Sequence, residues 1–155
     1  METRDKDTVT AEVEQASTRI LEIIDVKGKA TKPGALTMPC SDDDHQEEPY
    51  YAFHPWSLYE APFADLEKGM NRLRTGLPKE GWKITKDGMD GTIGNSPQIV
   101  AESKERRVMV DIRLNKEVKS QKTPNMLRVT VQSRCYRLPT TPATPEEQPP
   151  NMWRP

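Results

Sequence analysis

Leu127-Arg128-Val129-Thr130-Val131-Gln132-Ser133-Arg134-Cys135 carries apolar side chains at every odd position from Leu127 to Val131. Successive side chains of a strand point to opposite faces, so this alternation predicts a half-buried β-strand with Cys135 in phase with the inward set. The chain holds one other cysteine, Cys40, 95 positions earlier. An inward thiol favours a partner, which predicts a Cys40–Cys135 disulfide and maturation in an oxidising compartment.

The segments before this strand extend the same pattern. Val108, Val110, Ile112 and Leu114 alternate with Met109, Asp111 and Arg113, while Ile99 and Ala101 share a phase within Gln98 to Ser103. Trp82 and Ile84 alternate with Lys83 and Thr85 ahead of Lys86-Asp87-Gly88-Met89-Asp90-Gly91, which carries two Asp/Gly turn signals. Strands joined by short turns predict an antiparallel meander. Upstream, Phe63, Leu66, Met70, Leu73 and Leu77 recur at three and four, a helix opened by Pro62 and closed by Gly76 and Pro78. Val9, Val13, Ala16, Ile20, Ile23 and Ile24 mark a second helix over residues 8–26, capped by Thr8 or Thr10 and stopped at Gly28. Residues 29–49 read as a loop that the Cys40 crosslink docks, and 50–59 as an extended edge segment broken by Pro55. The expected fold is α+β: a two-layer sandwich, an antiparallel sheet of about four to five strands with two helices packed on one face.

A chain of 155 residues supports one core. The reading is a disordered N-terminus at 1–7, a single domain at 8–137 and a disordered Pro-rich tail at 138–155. Hydrophobic residues are 34% and charged residues 30%, with 14 prolines against 8 glycines, so the core is small and the crosslink matters to it. A net charge of −1 supplies no global field toward nucleic acid or an anionic membrane. No run approaches the length of a membrane span, and Met1-Glu2-Thr3-Arg4-Asp5-Lys6-Asp7 lacks the layout of a signal peptide. The expectation is a mature region whose signal lies outside the given chain.

Few residues carry reactive chemistry. His45 lies in Asp42-Asp43-Asp44-His45-Gln46-Glu47-Glu48, whose carboxylates lack the alternating ligands and central glycine of a calcium loop, so it reads as solvated and no metal site is expected. Gly88-Met89-Asp90-Gly91-Thr92-Ile93-Gly94 lacks the Gly-Lys-Ser/Thr of a phosphate loop and reads as a hairpin turn. Gly94-Asn95-Ser96-Pro97 lacks the second glycine of a nucleophile elbow, and Lys104-Glu105-Arg106-Arg107 reads as a solvated turn. His54 is the one candidate acid/base, with no partner visible in the sequence. The aromatic group Tyr50, Tyr51, Phe53, Trp56 and Tyr59, with His54, is the candidate binding surface or else a plug for the end of the sandwich. No catalytic residue and no cofactor is assigned.

His54-Pro55-Trp56-Ser57-Leu58-Tyr59, Ala64-Asp65-Leu66-Glu67-Lys68-Gly69-Met70, Leu77-Pro78-Lys79-Glu80-Gly81-Trp82-Lys83-Ile84, Ser96-Pro97-Gln98-Ile99-Val100-Ala101 and Val129-Thr130-Val131-Gln132-Ser133-Arg134-Cys135 follow one another in order. Together they resemble a group of small actinobacterial secreted proteins and lipoproteins of uncharacterised function. The resemblance implies a secreted or cell-surface location, with membrane attachment only through an N-terminal lipid anchor lost from this chain. It implies no catalytic residues. The expected function is that of an exported cell-envelope protein, a non-catalytic binding domain for a protein or cell-wall ligand, with no nucleic-acid partner. Two alternatives stand beside it: an inhibitor or immunity-type protein that blocks a partner enzyme, and a hydrolase using His54.

Overall fold

The computed structural model describes residues 1–31, 33–41 and 48–139, so the acidic stretch around His45 and the chain beyond Pro139 lie outside the described residues. Helix α1 (Lys6–Ile24) opens on Asp5, whose carboxylate accepts the Thr8 backbone N–H at 3.3 Å; neither Thr8 nor Thr10 is the cap. It closes at Asp25 in the left-handed region, φ 51°, three positions before Gly28. Arg72 of helix α2 (Phe63–Lys79) donates to the Ile24 and Asp25 carbonyls at 2.9 and 3.2 Å, satisfying acceptors that the end of α1 leaves open. Helix α2 continues through Gly76 and Pro78 rather than stopping at them. A Cβ at Gly76 would lie 2.8 Å from Ile23 Cγ2, and one at Gly69 would lie 2.9 Å from Ile24 Cγ2. These glycines, seven positions apart on one face, let the two helices approach.

The sheet has seven strands: β1 (Lys29–Ala30), β2 (Leu36–Pro39), β3 (Tyr50–Tyr59), β4 (Lys83–Met89), β5 (Pro97–Ser103), β6 (Val108–Asn115) and β7 (Met126–Ser133). Their order is β1-β3-β7-β6-β5-β4 with β2 also on β3, and every pairing is antiparallel. The expected four to five strands thus fall short by β1 and β2. Both lie in the segment read as a loop, where two and four residues are too few to show a period.

β3 is not an edge strand. It pairs along Phe53–Tyr59 with β7, and its other side carries β1 at Leu58 and Tyr59 and β2 at Tyr50 to Phe53. The Ser57 carbonyl accepts the Thr31 backbone N–H and the Ser57 N–H donates to Thr31 Oγ1, so by alternation Pro55 turns its hydrogen-bonding edge to the same side. Proline has no N–H to give, and the stretch between β1 and β2 leaves the sheet there. The break that Pro55 forces falls on the neighbouring chain, not on β3.

Leu127, Val129 and Val131 of β7 and Val110, Ile112 and Leu114 of β6 are buried together with Val13, Ala16, Ile20 and Ile24 of α1 and Leu66, Met70, Leu73 and Leu77 of α2. α1 contacts β3 and β7, and α2 contacts β4, β6 and β7, so helices and antiparallel sheet share one core. The last strand ends at Ser133, so Cys135 lies two residues beyond it and is half-buried, while Tyr136 takes the inward place. Tyr136 exchanges two backbone hydrogen bonds with Tyr50, at 2.8 and 2.9 Å. Cys40, next after β2, meets Cys135 with the Cα atoms 6.3 Å apart, and the disulfide is formed. It ties β2 and β7, which flank β3, together near the Tyr50 end of that strand.

Candidate functional site

Period-2 alternation along β3 divides the six candidate residues into two sets of three. Tyr50, His54 and Trp56 are buried with Ala52 and Leu58, whereas Tyr51, Phe53 and Tyr59 lie between them on the half-buried face. On that second face the Tyr51 and Phe53 rings sit with centroids 5.9 Å apart. Register brings Leu36 opposite Phe53 and Met38 opposite Tyr51, and these two are 53% and 46% exposed. On the other flank, Gln132, Thr130 and Arg128 of β7 lead to Met109, Asp111 and Arg113 of β6. In the polar part Gln98 Nε2 donates to both Asp111 oxygens at 3.1 and 3.0 Å and Arg113 Nε lies 3.3 Å from Asp111, while the buried Gln98 Oε1 has no partner among the described residues. An apolar group of Leu36, Met38, Tyr51 and Phe53 therefore borders a polar strip, and Tyr59 lies farther along the same face beyond Pro55 and Ser57.

Two of the inward set, Tyr50 and His54, are held by specific bonds. The Tyr50 hydroxyl donates to the Arg4 carbonyl at 2.7 Å, and the Arg4 guanidinium lies 5.3 Å from the centre of the Tyr136 ring. Arg4 also donates to both Glu12 oxygens, at 2.7 and 2.6 Å, and these bonds hold the Glu12 carboxyl below its ordinary range. His54 Nε2 donates to the Pro33 carbonyl at 2.6 Å, because a carbonyl oxygen can only accept. In the neutral ring Nδ1 then accepts from Ser17 Oγ, 2.7 Å away.

Sequence reasoning missed Ser17. Its signal was a hydroxyl inside the apolar stripe of α1, between Val13 and Ile20, where a buried polar group requires a partner. A serine hydroxyl bonded to an anchored imidazole has the form of a nucleophile and its base. Here Ser17 is only 4% exposed and stands in mid-helix, where the surrounding backbone N–H groups are engaged in the helix and supply no oxyanion donors. The pair acts as a clasp that fixes the stretch between β1 and β2 against α1. Thr31 Oγ1, accepting from Ser57 N–H at 2.8 Å, and Glu14 Oε2, accepting from Ala35 N–H at 2.9 Å, complete that attachment.

Beneath the clasp is a cavity of about 290 Å³. Glu14, Ser17, Thr18 and Leu21, one stripe of α1, form one wall; His54 and Trp56 form another; and Ala30, Thr31, Pro33 and Gly34 close it. The Trp56 indole N–H is sealed from solvent and has no acceptor among the described residues.

The remaining motifs are structural. Asp90 accepts the Thr92 and Ser96 backbone N–H groups at 3.0 Å each, bonds that pull its carboxyl below the ordinary range and fix the β4–β5 hairpin turn. Lys104–Arg107 joins β5 to β6, and Arg107 pairs with Glu2 at 2.9 Å. Among the described residues no group of three or more His, Cys, Asp or Glu could hold a metal ion, and no helix is long and apolar enough to cross a membrane. No family model, curated protein or solved structure matches this chain.

Proposed function

We propose that this protein is a non-catalytic binding domain of the bacterial cell envelope, acting through the apolar group of Leu36, Met38, Tyr51 and Phe53. In this reading the fold is a two-layer sandwich with both helices on the buried face of the sheet, which leaves the opposite face for a partner. The observation that carries it is the pair Leu36 and Met38, two large apolar side chains about half exposed beside the Tyr51–Phe53 ring pair. Grouped exposed apolar side chains rimmed by polar ones are what interaction surfaces present. The Cys40–Cys135 disulfide supports a location outside a reducing cytosol, and the resemblance to secreted actinobacterial proteins points the same way. The inhibitor reading uses the same face and differs in stoichiometry. It would give a tight one-to-one complex, whereas an envelope module binds many equivalent sites more weakly.

Sedimentation with washed bacterial envelopes tests the proposal. Saturable binding that survives moderate salt supports it, and protein left wholly in the supernatant contradicts it. The hydrolase reading draws on the Ser17–His54 bond and makes a separate demand. Exchanging His54 for alanine would have to abolish hydrolysis of a p-nitrophenyl ester that the native protein turns over.

A further inference from the structure

The cavity under the Ser17–His54 clasp lies on the buried side of β3, and its polar groups have assigned roles. With the His54 ring neutral, Ser17 spends its proton on Nδ1, so toward anything in the cavity its oxygen can only accept. His54 spends its Nε2 proton on Pro33, and the Thr18 hydroxyl donates to the Glu14 carbonyl at 3.2 Å. Thr31 Oγ1 already takes the Ser57 N–H, and it is left with one lone pair and its proton, neutral toward either kind of ligand. Glu14 uses Oε2 for the Ala35 N–H, and its second carboxylate oxygen has no partner among the described residues. Besides His54, Glu14 is the one acid or base among the described lining residues. Leu21, Ala30 and the ring of Trp56 supply the apolar wall.

We propose that this cavity binds a small organic amine, its ammonium group donating to Glu14 and Ser17 and its hydrocarbon part lying against Leu21, Ala30 and Trp56. The chemistry selects the charge. A carboxylate oxygen with no partner among the described residues, beside the Ser17 acceptor, favours a cationic donor and repels a carboxylate. A volume near 290 Å³ lies at the lower end of small-molecule sites and suits a single-ring or short-chain amine. The site exists because Pro55 opens the sheet between β1 and β2, so its origin is independent of the apolar group on the other face.

Benzylamine, benzyl alcohol and benzoate, which share one ring and differ in charge, are the probes. In nitrogen–proton correlation spectra of the full chain, benzylamine should give saturable shifts at the Trp56 indole N–H and the Leu21 amide. Benzyl alcohol should shift them weakly and benzoate not at all. Glu14→Gln keeps the acceptor for Ala35 and removes the charge; it should weaken benzylamine binding by about tenfold or more. Thr18→Phe, placed at an exposed helix position, should fill the mouth and abolish the response. The double substitution Tyr51→Ser with Phe53→Ser should leave it intact, which separates this site from the sheet-face proposal. Benzoate binding as well as benzylamine, an unchanged Glu14→Gln isotherm, or no shift up to about 10 mM benzylamine would each overturn the proposal.

Discussion

The two faces of β3 belong to one ten-residue strand and do different work. Facing the helices, Tyr50, His54 and Trp56 are buried, and the first two have every polar contact fixed by a partner: Arg4 for Tyr50, Ser17 and Pro33 for His54. Facing away, Tyr51, Phe53 and Tyr59 are half-buried, and the first two border exposed Leu36 and Met38. The same residue type means structure at one position and surface at the next. An aromatic cluster in sequence is therefore not a surface until its period is known.

The disulfide underlies both faces, and breaking it should have the largest effect. Replacing Cys40 and Cys135 together by serine frees a closure 95 residues long, so unfolding free energy measured by urea titration should fall by about 4–5 kcal/mol. A fall under about 1 kcal/mol would show that the hydrogen bonds between Tyr50 and Tyr136 hold that end of the sheet alone.

Substitutions on the two faces sharpen the contrast. Trp56→Ala removes a buried ring and should cost about 3–5 kcal/mol in the same titration. Phe53→Ala, one turn of the pleat away on the other face, should cost about 1 kcal/mol or less. Equal costs would mean that the second face is covered by something other than solvent.

A smaller effect comes from acid. Glu12 and Asp90 have carboxyls held below their ordinary range in the folded state, by Arg4 and by backbone N–H groups respectively. A group whose folded pKa is depressed contributes stability above its unfolded pKa, and loses it as pH falls through the folded value. The urea midpoint should stay flat from neutral pH to about 5 and drop below about 4. Glu12→Gln and Asp90→Asn should each flatten that drop, and an unchanged slope in both would remove these carboxyls from the account.

Legibility in the sequence followed length and regularity. β6 and β7 and the apolar stripe of α2 were readable because several periods of apolar residues outweigh local exceptions. Gly76 looked like a stop, but it is the contact point with Ile23, a tertiary reason that no local signal encodes. β1 and β2 were hidden by their shortness, and Pro55 pointed to an edge strand because its missing N–H is compensated by a gap in the neighbouring chain. The disulfide was expected from Cys135 lying in phase. The strand ends first, and what brings the thiols together is the position of both cysteines just beyond the neighbours of β3. The partner of His54 lay 37 positions away, a distance that only the packing of α1 on β3 closes.

The central claim is that the outward row of β3 binds and the inward row folds. Its most direct test measures the envelope-binding isotherm and the unfolding free energy of the Tyr51→Ser, Phe53→Ser double variant on the same sample. The account predicts binding weaker by about tenfold or more, with stability lowered by no more than about 2 kcal/mol. Unchanged envelope binding by a stably folded double variant would contradict it.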